Sequence, residues 1–254
     1  MIGKIKIDNI GSILDPLSSI EKVLNDGNDG AHIVYEFEDD AVFIAARDIL
    51  GNNFAIYELD ANEVFEDYKN PKCEIGVWDV VDFTNKLDLF DEDFEISHDG
   101  KNLFEAKNDS DTLSFYGCDP SEVKKGKRKL KTDVLDIGAS LVINTIVPKL
   151  KGAITSYVGQ DNMVFEGNKK TGEVTISIVG DIKNSNSYKS TLKNIPVEND
   201  FKLVFSKSEI KKVLSCNDEF AITFFTGAKN IAEFSYERDN YKMKFYISPN
   251  DTED

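Results

Sequence analysis

Apolar and polar positions change rhythm twice along this chain, in the same order each time. Residues 201–205 alternate, the period of a half-buried strand. Ser206-Lys207-Ser208-Glu209 then has the form of a capping box, and Ile210, Val213 and Leu214 follow at helical spacing. Residues 220–225, 231–236 and 243–247 read as three strands joined by short turns. The order also occurs earlier. Residues 73–77 read as a strand, and 78–89 as a helix with Val80, Phe83 and Leu87 on one face and Asp79, Asp82, Asn85 and Lys86 on the other. Residues 94–96, 103–106 and 112–116 follow as strands, the first two joined at an Asp99-Gly100 turn. Asp93-Phe94 corresponds to Glu219-Phe220, and Phe115-Tyr116 to Phe245-Tyr246, each pair half a chain apart. The pattern predicts one domain written twice, at low identity.

The remaining segments fit that scheme. Residues 1–7 predict a strand. A helix is expected from Asp15-Pro16 to Asn25, with Pro in its first turn and Leu17, Ile20 and Leu24 toward a sheet. Residues 25–30 read as a turn-rich loop, 33–37, 42–46 and 54–59 as strands, and 61–71 as a polar connection. In the second half, 134–137 predicts a strand and 139–150 a helix that Pro148 must bend or end. Residues 154–158, 163–166, 174–179 and 188–192 predict strands, with turns at 159–162 and 168–172. The fold class is α+β: two similar domains, 1–120 and 133–254, each with antiparallel sheets and two helices on one sheet face. Residues 121–132 form a connector with Lys124, Lys125, Lys127, Arg128, Lys129 and Lys131, either a solvated loop or a contact for phosphate or a partner.

Charge sharpens this picture. The net charge of −16 is uneven: residues 1–120 hold 9 Lys and Arg against 28 Asp and Glu, and residues 121–254 hold 21 against 18. An acidic exterior can coexist with a local basic surface, and local charge governs contact with nucleic acid. No apolar run reaches the roughly 18 residues that cross a bilayer. Residues 1–4 carry no apolar leader, and the three cysteines are unpatterned, so a cytoplasmic, reducing setting is expected.

Catalytic chemistry finds no foothold. His32 and His98 are far apart in sequence and no Cys pair has metal-ligand spacing, so neither a metal nor another cofactor is expected. Residues 167–172 imitate a phosphate loop, but Glu173 stands where its lysine belongs, so a hairpin turn is expected. Asp39-Asp40 and Asp91-Glu92-Asp93 read as strand-end turns, and Trp78 and Cys216 as packed residues. A carboxylate-based hydrolase stays as a minor alternative, since 46 acids make chance pairs common. What remains is helix surface. Lys207, Lys211 and Lys212 share the free side of the last helix, Lys149 and Lys151 lie around the end of the one before, and Lys22 and Lys86 are the basic residues of the first-half helices. Such side chains can meet phosphates without reading bases, or be ordinary solvated surface.

Three stretches carry a family resemblance. The run from Leu113 to Val123, Leu-Ser-Phe-Tyr-Gly-Cys-Asp-Pro-Ser-Glu-Val, resembles the strand-to-connector passage of the DNA sliding clamps of T-even-type phages. Trp78-Asp79-Val80 through Phe94-Glu95-Ile96-Ser97 resembles the helix and strand before it. Lys244-Phe245-Tyr246-Ile247-Ser248-Pro249 is similar to the ending of proliferating cell nuclear antigen. The resemblance implies a homotrimeric ring around double-stranded DNA that tethers a DNA polymerase after an ATP-dependent clamp loader places it. It implies DNA contact by Lys149, Lys151, Lys207, Lys211 and Lys212, with Lys22 and Lys86 as lesser contributors. It implies subunit pairing through Thr112, Leu113, Ser114, Phe115 and Tyr116 against Val174, Ile176 and Ile178. A partner groove would include Ile49, Leu50, Leu130, Ile247 and Pro249, and the setting would be the cytoplasm of an infected bacterium. The acidic helix at 78–89 departs from the family, which places positive charge there. A non-catalytic β-rich phage assembly protein is the alternative.

Overall fold

The computed structural model describes residues 1–25, 31–48, 52–123, 135–142, 147–179, 187–227 and 229–250. The basic run Lys124 to Lys131 lies outside these residues, as do Ile49, Leu50 and Leu130. The chain divides into two compact units, Met1–Lys129 with Glu237–Lys244, and Leu130–Tyr236 with Phe245–Asp254.

The first unit runs β1 (Gly3–Ile5), α1 (Gly11–Leu24), β2 (His32–Phe37), β3 (Ala41–Arg47), β4 (Phe54–Asp60), α2 (Ala61–Val64), β5 (Phe65–Glu66), β6 (Glu74–Val77), α3 (Val80–Leu87), β7 (Phe94–His98), β8 (Leu103–Lys107) and β9 (Thr112–Tyr116). One sheet has the order β5-β1-β7-β8-β9, and β4-β3-β2-β6 are successive neighbours in another. Pairing is antiparallel in both sheets, as between β2 and β6 and between β8 and β9. α1 and α3 pack on each other. Val80, Phe83 and Leu87 are buried as their spacing predicts, and the Phe83 ring lies 4.6 Å from Phe115 and 5.9 Å from Tyr35.

The second unit repeats the order: β10 (Leu135–Val142), α4 (Val147–Ser156), β11 (Asn162–Asn168), β12 (Glu173–Val179), β13 (Tyr188–Lys193), β14 (Phe201–Ser206), α5 (Lys207–Leu214), β15 (Ala221–Gly227), β16 (Ile231–Arg238) and β17 (Tyr241–Ile247), whose first residues count with the first unit. Its four-stranded sheet is β13-β12-β11-β14, and β10-β15-β16-β17 are successive neighbours. The α+β class therefore holds, with antiparallel sheets and a helix after the first strand and before the last three in both units. Phe165 anchors the core, 5.6 Å from Phe205 and 5.1 Å from Phe224. Phe201 fills the space left by two glycines: a Cβ at 167 would overlap its ring, and one at 138 would fall 2.9 Å away.

Several local expectations are corrected. α1 begins at Gly11, so Pro16 sits inside the helix rather than at its start. The polar run after Asp60 is not plain connection: the Asp60 carboxylate accepts the Asn62 and Glu63 amides, caps α2, and buries Val64 and Phe65 behind it. Residues 139–142 belong to β10, and the helix lies later, at Val147–Ser156. Pro148 is its second residue, where the missing amide has no helical carbonyl to serve. The expected strand at 154–158 is thus helix in its first part. Ser206 does stand at the N-cap of α5, but its hydroxyl meets Ser208 Oγ at 2.7 Å, so no capping box forms. Trp78 is 47% exposed and so is not core; its ring, edge-on to His32 of β2 at 4.7 Å, instead ties the start of α3 to the sheet, the other role its place suggests. The Asn168–Gly172 turn forms as expected: Asn168 Oδ1 accepts the Thr171 amide at 3.0 Å and Gly172 takes φ 63°.

Candidate nucleic-acid and assembly surfaces

Within the second unit, α4 and α5 pack side by side. α4 buries Val147, Leu150, Ala153 and Ile154, and α5 buries Ile210, Val213 and Leu214. The apolar spacing of each helix leaves its lysines on the remaining surface. Lys149 and Lys211 are exposed, and Lys151, Lys207 and Lys212 are half-buried. Lys151 Nζ pairs with Asp218 Oδ1 at 2.5 Å and donates to the Asn217 carbonyl at 3.2 Å. Lys207 Nζ donates to the carbonyl of Tyr157, the residue that follows α4. Lys151 and Lys207 thus tie the helices to flanking loops, so they serve architecture as well as charge.

The first unit offers less. Lys22 is exposed in the last turn of α1. Lys86 is half-buried: its ammonium pairs with Asp82 at 2.6 Å, one turn back, and lies 5.5 Å from the centre of the Phe115 ring. The free side of α3 and its two flanks carry Trp78, Val81, Asp82 and Asp88, an apolar and acidic surface.

Sheet edges are the second feature. β9 is an end strand of its sheet, with Thr112, Ser114 and Tyr116 pointing out and Leu113 and Phe115 half-buried. Tyr116 is 75% exposed. In the second unit the sheet ends beyond β12, at β13. β12 is bonded on both sides, by β11 and β13, and its Val174, Ile176 and Ile178 are wholly buried core. Those three residues are thus corrected out of any edge contact. β13 has no fully buried residue along Tyr-Lys-Ser-Thr-Leu-Lys, which is the sequence signal of an edge. It also carries Lys189 and Lys193, and lysine is common on natural edges.

At the C-terminal end, Ile247 is wholly buried and so is a core residue rather than part of an open groove, while Pro249 is half-buried. Among the described residues no group of three or more His, Cys, Asp and Glu side chains is placed to hold a metal.

Paired helices and antiparallel sheets repeated in two units define the clamp fold, and solved structures share it over the whole chain. The A. fulgidus PCNA, solved with the C-terminal region of FEN-1, is 16% identical, with a TM-score of 0.72 over 99% of both chains. PCNA from Entamoeba histolytica is 13% identical, with a TM-score of 0.70 over 98% of this chain and 99% of its own. The Helicobacter pylori beta clamp, solved with a DNA ligase peptide, is 12% identical, with a TM-score of 0.72 over 99% of this chain and 67% of its own. No family model matches the sequence, and no curated protein does. At these identities the likeness is one of fold.

Proposed function

We propose that this chain is a DNA sliding clamp, a ring of three copies around duplex DNA that tethers a polymerase and makes or breaks no bond. The reading is supported above all by the likeness to PCNA over 99% of both chains, in a molecule whose two units repeat one element order. In the proposed ring, β9 of one copy pairs with β13 of the next, so each exposed edge gains a backbone ladder. The contact is head-to-tail, and three such contacts close. Lys149 and Lys211, with Lys151, Lys207 and Lys212 around them, attract phosphates electrostatically and without sequence preference, a contact loose enough to slide. Lys22 and Lys86 contribute less, because the first-unit helices are acidic.

Two of the similar structures hold partner segments, the C-terminal region of FEN-1 in one and a DNA ligase peptide in the other. By analogy, this chain docks short tails of DNA-processing enzymes, with Pro249, Ile49, Leu50 and Leu130 as candidate contacts. An ATP-dependent loader opens the ring, and the resemblance to T-even-type phage clamps supports an infected bacterial cell as the setting. Native mass spectrometry at nanomolar concentration tests the assembly. A mass of three chains is expected; a monomer or an open series of polymers would overturn the ring, and the polymers would favour a filament-forming assembly protein.

A further inference from the structure

α3 and α5 hold the same place in the two units, yet their free faces carry opposite chemistry. With the N-caps Asp79 and Ser206 set level, buried Phe83 and Leu87 match buried Ile210 and Leu214. Lys211 and Lys212, however, are matched by Thr84 and Asn85, and Ser208 by Val81. Where α5 carries those two lysines, α3 has no cation. Asp79, Asp82 and Asp88 stand on α3 or at its ends, and its one lysine, Lys86, is paired with Asp82 at 2.6 Å. Exposed Asp91 and Glu92 follow, and neighbouring α1 exposes Asp15, Ser18 and Lys22, which add no net positive charge.

Large apolar side chains share this face. Trp78, Val81 and Leu89 are 47%, 45% and 69% exposed. The Leu89 amide bonds the Lys86 carbonyl at 3.3 Å, so the helical turn continues to it. By helical spacing the three fall on one stripe with Asp82, Asn85 and Asp88, opposite the buried residues. Single apolar side chains on a surface are ordinary, whereas a group of them rimmed by polar residues marks an interaction site. Trp78 is the chain's only tryptophan, a residue type enriched at binding hot spots, and its contact with His32 holds the ring in place. The charge of the face selects its occupant. Duplex DNA is repelled by the aspartates. A second copy laid on the same face meets the same negative charge, and the basic face of α5 exposes only Ser208 and Lys211, with no large apolar side chain to match. We propose that the free face of α3 docks a basic amphipathic helix of a partner protein. Val81 and Leu89 lie about 12 Å apart along the helix. The partner therefore presents apolar side chains two turns apart, with Lys or Arg beside them to meet Asp82 and Asp88. The inference rests on the first unit alone and stands apart from the ring reading.

Trp78 fluorescence in the full chain reads the test, since no other tryptophan contributes. The probe is a synthetic helical peptide of Leu, Ala and Lys, with its leucines on one face. A saturable blue shift of the Trp78 emission is expected. A peptide of the same composition in scrambled order, and one with Glu for every Lys, should each bind at least about tenfold more weakly. Val81→Ser combined with Asp88→Lys, both at exposed positions, should weaken the first peptide by about tenfold as well. Absence of a saturable shift in the wild-type chain would overturn the inference, and so would equal binding of the scrambled peptide. A shift produced by duplex DNA, or by raising the protein concentration without peptide, would assign the face to DNA or to a second copy and overturn it too. Equal affinity in the folded double variant would do the same, and the wild-type comparison stands even if that variant does not fold.

Discussion

Tyr57 on β4 donates its hydroxyl to the Ser12 carbonyl in α1. The reason lies four residues on: Pro16 has no amide hydrogen, so the carbonyl it would have met inside the helix needs another donor. Tyr57 is 1% exposed and supplies it from the sheet below. Tyr57→Phe should therefore cost about 1–2 kcal/mol in urea unfolding. In a Pro16→Ala background residue 16 has its own amide, and the same change should cost clearly less. Equal costs in both backgrounds would show that the proline is not what the tyrosine compensates.

Gly167 and Gly138 make room for Phe201, whose ring packs 4.9 Å from Phe224. Gly167→Ala puts a methyl into that ring and should destabilise the chain by about 1–3 kcal/mol through overpacking. Phe201→Leu in the same chain should recover part of the loss. A neutral Gly167→Ala would mean the ring moves aside at little cost.

Acid should weaken the fold in two steps. The His98 side chain is nearly buried, its Nδ1 accepts the Gly100 amide at 3.1 Å, and burial lowers its pKa below the usual 6.5. The unfolded chain takes up this proton near pH 6.5 while the folded chain resists it, so stability falls as pH drops below about 6.5. Asp93, Asp99 and Asp119 act lower down. Their carboxylates are held below the usual range, Asp93 chiefly by the Ile7 amide, Asp99 by the Lys101 amide and Asp119 by the Ser121 side chain. They contribute stability above their unfolded pKa that disappears as pH falls through the folded one. Urea midpoints at pH 7.5 and 5.5 isolate the histidine: His98→Gln should lose less across that interval than the wild type. Identical losses would assign the effect elsewhere.

The lysines should not be equivalent. Lys149 and Lys211 are exposed, whereas Lys151 is held by Asp218. Lys149→Glu with Lys211→Glu should lower electrostatic association with duplex DNA. It should also flatten the dependence of log affinity on log salt, by about 0.9 for each phosphate no longer neutralised. Lys151→Ala should affect DNA less and thermal stability more. The reverse ranking, read by fluorescence anisotropy over a salt series and by melting, would contradict this division.

Most strands were legible because alternation survives wherever a strand has one solvated face, as in β7, β8 and β14; the second part of β10 and the short β5 were not. Helix limits were less so. Pro16 reads as a start signal, yet tertiary help from Tyr57 lets the helix begin earlier. Pro148 reads as a stop, yet it opens α4, because the residues at 139–142 stay in β10. Asp60 is a signal overlooked rather than absent, since Asp60 with Glu63 three residues on, ahead of Val64 and Phe65, has the form of a helix start. Edge status was hidden for another reason: it belongs to the order of strands, not to any one strand. Val174, Ile176 and Ile178 make β12 look like a strong strand, and a strong strand is usually interior; the plain polar β13 takes the edge. Lys207, Lys211 and Lys212 fall on the last helix as read, but Lys149 and Lys151, read around the end of a helix, lie in the first half of α4 because that helix starts at Val147. The pairing of Lys151 with Asp218 joins segments far apart in sequence, and no local pattern signals it.

The most direct test of the central proposal uses DNA topology. The protein is placed by its loader on a nicked circular duplex, separated from unbound protein, and then the circle is cut once with a restriction enzyme. A sliding ring should stay with the closed circle and run off the linear ends within the time of the cut. Equal retention on the circle and on the cut molecule would contradict encirclement.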